Sequence, residues 1–199
     1  MNTFHTQRNA GNPQRNAGFS LIEILVSLVV LLIGLLGFAS LLVHANKAEM
    51  ESYQRVQALI LMQDIVDRIN TNRKVANCYV TPNPGGGGNY VGTGYASTPV
   101  CSAGSAEQQA RAVADLTEWN DLLQGAAEAN SGGNVGAMIG ARGCVAYDSA
   151  SKQYTVTVVW QGLSDTTAPP AALTCASGLY GAETKRRAVS SVLSIANLS

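Results

Sequence analysis

Charge is scarce in this chain and neither sign prevails. Thirteen basic and thirteen acidic side chains make up 13% of 199 residues, against about a quarter in ordinary soluble domains. A strongly basic nucleic-acid binder is excluded on average charge. Histidine is nearly missing. Beyond the first eighteen residues only His44 occurs, so the remaining chain has no Ser-His-Asp or Cys-His site. The four cysteines form no Cys-x-x-Cys, and their spacings of 23, 43 and 31 are unlike a zinc finger. HExxH and EF-hand loops are absent. The glycine run 85–88 lacks both the Gly-Lys-Ser/Thr of a phosphate-binding loop and the strand and helix that flank a dinucleotide motif. It reads as a surface loop between Pro82 and Gly104. Ser149 and Lys152 match Ser-x-x-Lys inside a predicted turn, without that enzyme class's companion motifs. The sequence therefore predicts no enzyme, no cofactor and no metal.

The apolar residues are concentrated in one place. From Ile24 to Val43 there are twenty residues without a formal charge, fifteen of them Leu, Ile, Val or Phe. At about 1.5 Å per residue the run spans about 30 Å, the hydrocarbon thickness of a bilayer. Those fifteen contribute roughly −4 to −9 kcal/mol to insertion. Glu23 at the edge costs at most about 3 kcal/mol and can snorkel, so insertion wins. Residues 1–18 hold Arg8 and Arg15 and no acid, so the amino end stays cytoplasmic and the rest crosses. All four cysteines then lie in an oxidising compartment, where two disulfides are expected.

A secretory signal peptide would have a shorter apolar part ending in a small-x-small cleavage site. Here the run is longer, and no Ala-x-Ala follows it. The junction Ala17-Gly18-Phe19-Ser20-Leu21-Ile22-Glu23 instead sets a small pair ahead of an apolar helix bearing one carboxylate. This resembles the cleavage and methylation site of type IV prepilins. The resemblance implies that a prepilin peptidase cuts between Gly18 and Phe19 on the cytoplasmic side and that Phe19 becomes N-methylphenylalanine. It also makes Glu23 the family's acidic residue. Cutting there removes the leader, residues 1–18, keeps the anchor, residues 19–43, and leaves 11 basic against 13 acidic side chains. In a bundle of such helices Glu23 would be buried. The cationic amine of a neighbouring subunit's Phe19 is the available partner, and the pair would set register between helices. The leader repeats Gln-Arg-Asn-Ala-Gly at 7–11 and 14–18, and only Gly18 adjoins the apolar run. Gly34 and Gly37 suit close helix contact or local unwinding on assembly.

Past the bilayer, Tyr53, Val56, Leu59, Met62, Val66 and Ile69 recur at helical spacing. They predict an amphipathic spine over 44–75, part of a periplasmic domain 44–199, with this face on the core. Ser105 and Gln108 fit a capping box. Val113, Leu116, Trp119 or Asn120, and Leu123 continue as a second helix ending near Gly125, with Trp119 as a core anchor. Residues 130–136 read as a loop. Strands are predicted at 141–147, 153–161 and 187–195, the first two joined by a turn. The expected fold class is α+β, a long N-terminal helix packed on a small antiparallel sheet. For Cys78, Cys101, Cys144 and Cys175 the simplest pairing joins neighbours in sequence, at about 3 to 4 kcal/mol per loop. Three connectivities are compatible with the sequence. Lys185-Arg186-Arg187 is the one tight basic cluster outside the leader. It reads as a solvated strand entrance or a contact with a neighbouring subunit, and nucleic acid is not an expected partner.

Three stretches extend the resemblance: Ala141-Arg142-Gly143-Cys144; residues 154–162, Tyr-Thr-Val-Thr-Val-Val-Trp-Gln-Gly; and Cys175 with Lys185-Arg186-Arg187. These are similar to the PilV minor pilins. That family implies work with other minor pilins and the major pilin in a priming complex near the filament tip, presentation of a tip adhesin, and contact with inner-membrane lipid before assembly. The front motif is shared with type II secretion pseudopilins. A DNA-uptake or adhesive module is the alternative of a different kind.

Overall fold

The computed structural model describes residues 18–81, 89–127, 129–131, 133–134 and 138–195. The leader arginines, the repeat up to Ala17 and the glycine run 85–88 lie outside the described residues. The chain divides into two compact units, residues 1–45 and 46–199. One helix, α1 (Leu21–Thr71), contributes to both. In the first unit every described residue is exposed. An 18-residue window of α1 reaches a mean hydropathy of 2.8, so the helix is long and apolar enough to cross a membrane. A Cβ built on Gly34 or Gly37 meets nothing within 4 Å, so neither glycine is required by a contact among the described residues.

In the second unit α1 stops at Thr71, short of the expected residue 75, and the chain tightens into a 3-10 turn, Arg73–Tyr79, kinked at Val75. The segment expected to be loop contains a two-residue strand, β1 (Val91–Gly92). Gly92 has φ +104°, and a Cβ there would press on the Ala141 carbonyl, so glycine permits this pairing. Helix α2 (Ala106–Leu123) starts with the expected capping box. The Gln108 amide donates to Ser105 Oγ and the Ser105 amide to Gln108 Oε1. A small hairpin, β2 (Ala129–Asn130) and β3 (Gly133–Asn134), occupies the second expected loop. The strands β4 (Arg142–Asp148), β5 (Gln153–Gln161) and β6 (Arg186–Ser194) fall within one residue of their predicted limits.

The sheet order is β1-β4-β5-β6, antiparallel throughout, with Gly143 opposite Val158 and Val158 opposite Val189. Strand alternation puts Gly143, Val156, Val158, Trp160 and Arg187 on one face, and Cys144, Thr157, Val159 and Arg186 on the other. Helices cover the first face. Trp119, fully buried, donates from Nε1 to the Leu61 carbonyl at 2.9 Å and lies against Gly143. The second face is covered by the segment after β5. Cys175 is bonded to Cys144, and the Tyr180 hydroxyl donates to Gly140 O at 2.8 Å. Each large apolar side chain buried in this core stabilises the fold by about 1.5 to 3 kcal/mol.

The face that α1 buries agrees with the expected one at Met62, Ile69 and the partly buried Val66, and departs from it nearer the membrane. Gln54, Ala58, Leu61, Met62, Ile65 and Ile69 are buried, whereas Tyr53, Val56 and Leu59 remain about half exposed. Two apolar stripes run along this helix side by side. Ala58 lets the backbone approach the core closely, and a large-residue pattern passes over that position.

A partly buried polar network locks α1, the 3-10 turn and α2 together. Arg68 pairs with Asp64 at 2.8 Å, Asp115 at 3.2 Å and Glu118 at 2.7 Å, and the Tyr79 hydroxyl donates to Asp115 at 2.5 Å. The Glu118 and Asp64 carboxylates hold Arg68 firmly charged, although burial opposes this. Burial and the bond to Asp115 push the Tyr79 phenol well above its usual range.

Candidate functional site

The junction expected at Gly18-Phe19 lies just outside the first turn of α1, in non-helical backbone. Among the described residues nothing stands within 4 Å of a Cβ built on Gly18, and Phe19 is 82% exposed. The Ser20 carbonyl accepts from the amides of Glu23 and Ile24 at 3.0 and 3.3 Å, which begins the helix. Glu23 sits in this first turn, where the positive end of the helix dipole favours a carboxylate. Its own carbonyl accepts from the Ser27 hydroxyl at 2.7 Å. The geometry therefore places an exposed junction immediately ahead of an apolar helix with one acid at its start.

Farther along the helix, the stripe Met50, Tyr53, Val56, Leu59 and Ile60 is apolar and about half exposed within the second unit. One side of the spine is thus fixed to its own core. The other presents a narrow greasy strip to whatever lies alongside.

Glu51 organises the junction between spine and sheet, and sequence reasoning did not single it out. Its Oε1 accepts from the amides of Leu163 and Ser164, both at 3.1 Å, from the Ser164 hydroxyl at 2.8 Å, and from Arg187 Nη2 at 3.2 Å. Burial alone would raise its pKa, but the Ser164 bonds and the Arg187 charge bring it below the ordinary glutamate value. The only trace of this role in sequence is an acid four residues after Lys47, too common a pattern to read.

The basic cluster is corrected by the structure. Arg186 and Arg187 point to opposite faces of the sheet and both are engaged. Arg186, 2% exposed, pairs with Glu183 at 2.6 Å and donates to the carbonyls of Leu173 at 2.8 Å and Cys175 at 3.2 Å. Arg187 holds Glu51 and the Ser164 carbonyl. Neither arginine is a solvated charge at a strand entrance. Arg142 is also enclosed, its guanidinium carbon 5.3 Å and 5.0 Å from the Tyr90 and Tyr180 ring centres. The cysteines pair as 78–101 and 144–175, with Cα separations of 5.1 and 5.9 Å. Ser149 and Lys152 lie in the β4–β5 turn, which Asp148 caps by accepting from the Ala150 amide and the Ser151 hydroxyl. His44 is exposed on α1. Among the described residues no three His, Cys, Asp or Glu side chains gather closely enough to hold a metal ion.

Residues 13–39 match the family described as the prokaryotic N-terminal methylation motif, a stretch that contains Gly18, Phe19, Glu23 and most of the apolar run. Neither the curated proteins nor the solved structures give a match to the chain. The motif supports a type IV pilin-like protein, a class that is structural rather than catalytic. It implies processing by a prepilin peptidase and assembly with other pilins in a pilus or pseudopilus, and it is consistent with anchoring in a membrane.

Proposed function

We propose that the chain is a minor pilin of the PilV kind. A prepilin peptidase cuts between Gly18 and Phe19, Phe19 is N-methylated, and the subunit waits in the inner membrane with residues 44–199 in the periplasm. It then enters a priming complex with other minor pilins near the filament tip. The observation that carries this reading is the exposed Gly18-Phe19 junction, inside the matched motif, directly ahead of a helix whose residues 21–50 are all exposed, with Glu23 in its first turn. When subunits leave the bilayer, their apolar helices exchange lipid for one another. Glu23 then meets the amine of a neighbour's Phe19, because a buried carboxylate without a partner is costly. The second apolar stripe, Met50 to Ile60, supports the same lateral contact above the membrane.

The test is Glu23→Ala in the producing cell. Membrane insertion stays intact and incorporation into filaments falls. Normal incorporation of the variant contradicts the register role. Deletion separates this reading from a secretion pseudopilin, since the former loses twitching and the latter enzyme secretion.

A further inference from the structure

Where α1 gives way to the 3-10 turn, two cavities of about 350 and 290 Å³ share Arg73 and Lys74. The larger is also lined by Asn77, Tyr147, Lys152 and Tyr154, the smaller by Thr71, Asn72 and Gln108. No Asp or Glu lines either one among the described residues. The side chains of Arg73, Lys74 and Lys152 take part in none of the ion pairs of the described residues. This differs from Arg68, Arg186 and Arg187, whose charges are spent inside the fold. Tyr147 and Tyr154 are cross-strand partners with ring centres 4.7 Å apart. Tyr154 is buried, while Tyr147 is 45% exposed.

We propose that this groove binds single-stranded nucleic acid, with a base stacked on Tyr147 and the phosphates on either side against Arg73, Lys74 and Lys152. Cations alone would suit any anion. An exposed flat ring beside them adds a surface for a base, and stacking together with a basic track is how sequence-tolerant single-strand sites are built. The sharing of Arg73 and Lys74 between two neighbouring cavities fits a ligand that carries charge at regular intervals better than it fits one isolated phosphate. Average charge conceals the site, because the fold gathers three cations from the 3-10 turn after α1 and the β4–β5 turn, which are far apart in sequence. The proposal does not depend on the filament role.

The experiment uses the full chain in detergent micelles and a fluorescent oligothymidylate of about twelve nucleotides, read by anisotropy from about 50 mM salt upward. Saturable binding is expected, weakened roughly tenfold by Tyr147→Ala and retained by Tyr147→Trp. The combined Arg73→Gln, Lys74→Gln and Lys152→Gln variant should bind at least about tenfold more weakly. Its log-log salt slope should be shallower by about 2, as expected for three lost phosphate contacts. All these positions except Tyr147 lie in exposed turns, and unchanged tryptophan fluorescence with both disulfides intact checks that each variant is folded. Absence of saturable binding overturns the proposal, as does binding that ignores both the Gln set and Tyr147→Ala. Equal displacement by dextran sulfate, with Tyr147→Ala without effect, overturns it in favour of acidic polysaccharide. Equal displacement by inorganic phosphate overturns it in favour of a simple anion site.

Discussion

Arg187 Nη2 and Glu51 Oε1 lie 3.2 Å apart and join positions 136 residues apart in sequence. The link fastens the spine helix to the start of β6 and, through the same oxygen, to the backbone of Leu163 and Ser164. The Arg187 and Glu51 side chains are 15% and 25% exposed, so the pair is less screened by solvent than a surface salt bridge, which is worth about 0 to 1 kcal/mol.

Glu51→Ala should lower stability by about 1 to 3 kcal/mol, because it strips acceptors from two amides as well as from Arg187. A double-mutant cycle with Arg187→Ala should give a coupling of at least about 0.5 kcal/mol. Thermal unfolding of the full chain in detergent, followed by the fluorescence of nearby Trp160, measures both.

The pH dependence of this contribution has a definite sign. Glu51 has its pKa lowered by folding. Its contribution is therefore complete above the unfolded glutamate value of about 4.3 and is lost as pH falls through the lower folded value. The melting-temperature gap between the wild type and Glu51→Gln should stay constant from neutral pH to about 5 and shrink below about 4. A gap that keeps its size into strong acid contradicts the assignment. Glu183 is shifted in the same direction, chiefly by the Gly178 amide and then by Arg186, and its contribution fades over the same acidic range.

Gly143 lies under the Trp119 ring, and a Cβ there would overlap it and crowd Leu123. Gly143→Ala should cost about 1 to 3 kcal/mol by overpacking. Trp119→Ala should cost about 3 to 5 kcal/mol by leaving a cavity. Denaturant unfolding of each variant checks the pair of values.

Local sequence carried most of this fold. The three long strands followed from alternation, α2 from Ser105, Gln108 and the spacing of Leu116, Trp119 and Leu123, and the membrane-length helix from an uninterrupted apolar run. The buried face of the spine was legible only in its later half, at Met62, Val66 and Ile69; before that two apolar stripes interleave and the core took the one that includes Ala58 and Gln54. Strand β1 was hidden by its glycine-rich surroundings and exists through pairing with β4. The fate of Arg186 and Arg187 depended on partners more than ten and a hundred residues away, Leu173 and Glu51, which no local pattern reveals. At the amino end the position was reversed. Gly18, Phe19 and Glu23 were singled out by their resemblance to the type IV prepilin junction, which is a short linear motif.

The central claim is that the leader is removed and the apolar helix kept. Intact-mass and amino-terminal peptide mass spectrometry of the protein purified from its native cell tests it directly. The expected amino terminus is N-methylated Phe19, with the chain continuing through Glu23 and the apolar run. A chain that still starts at Met1, or one that starts beyond Val43, contradicts the account.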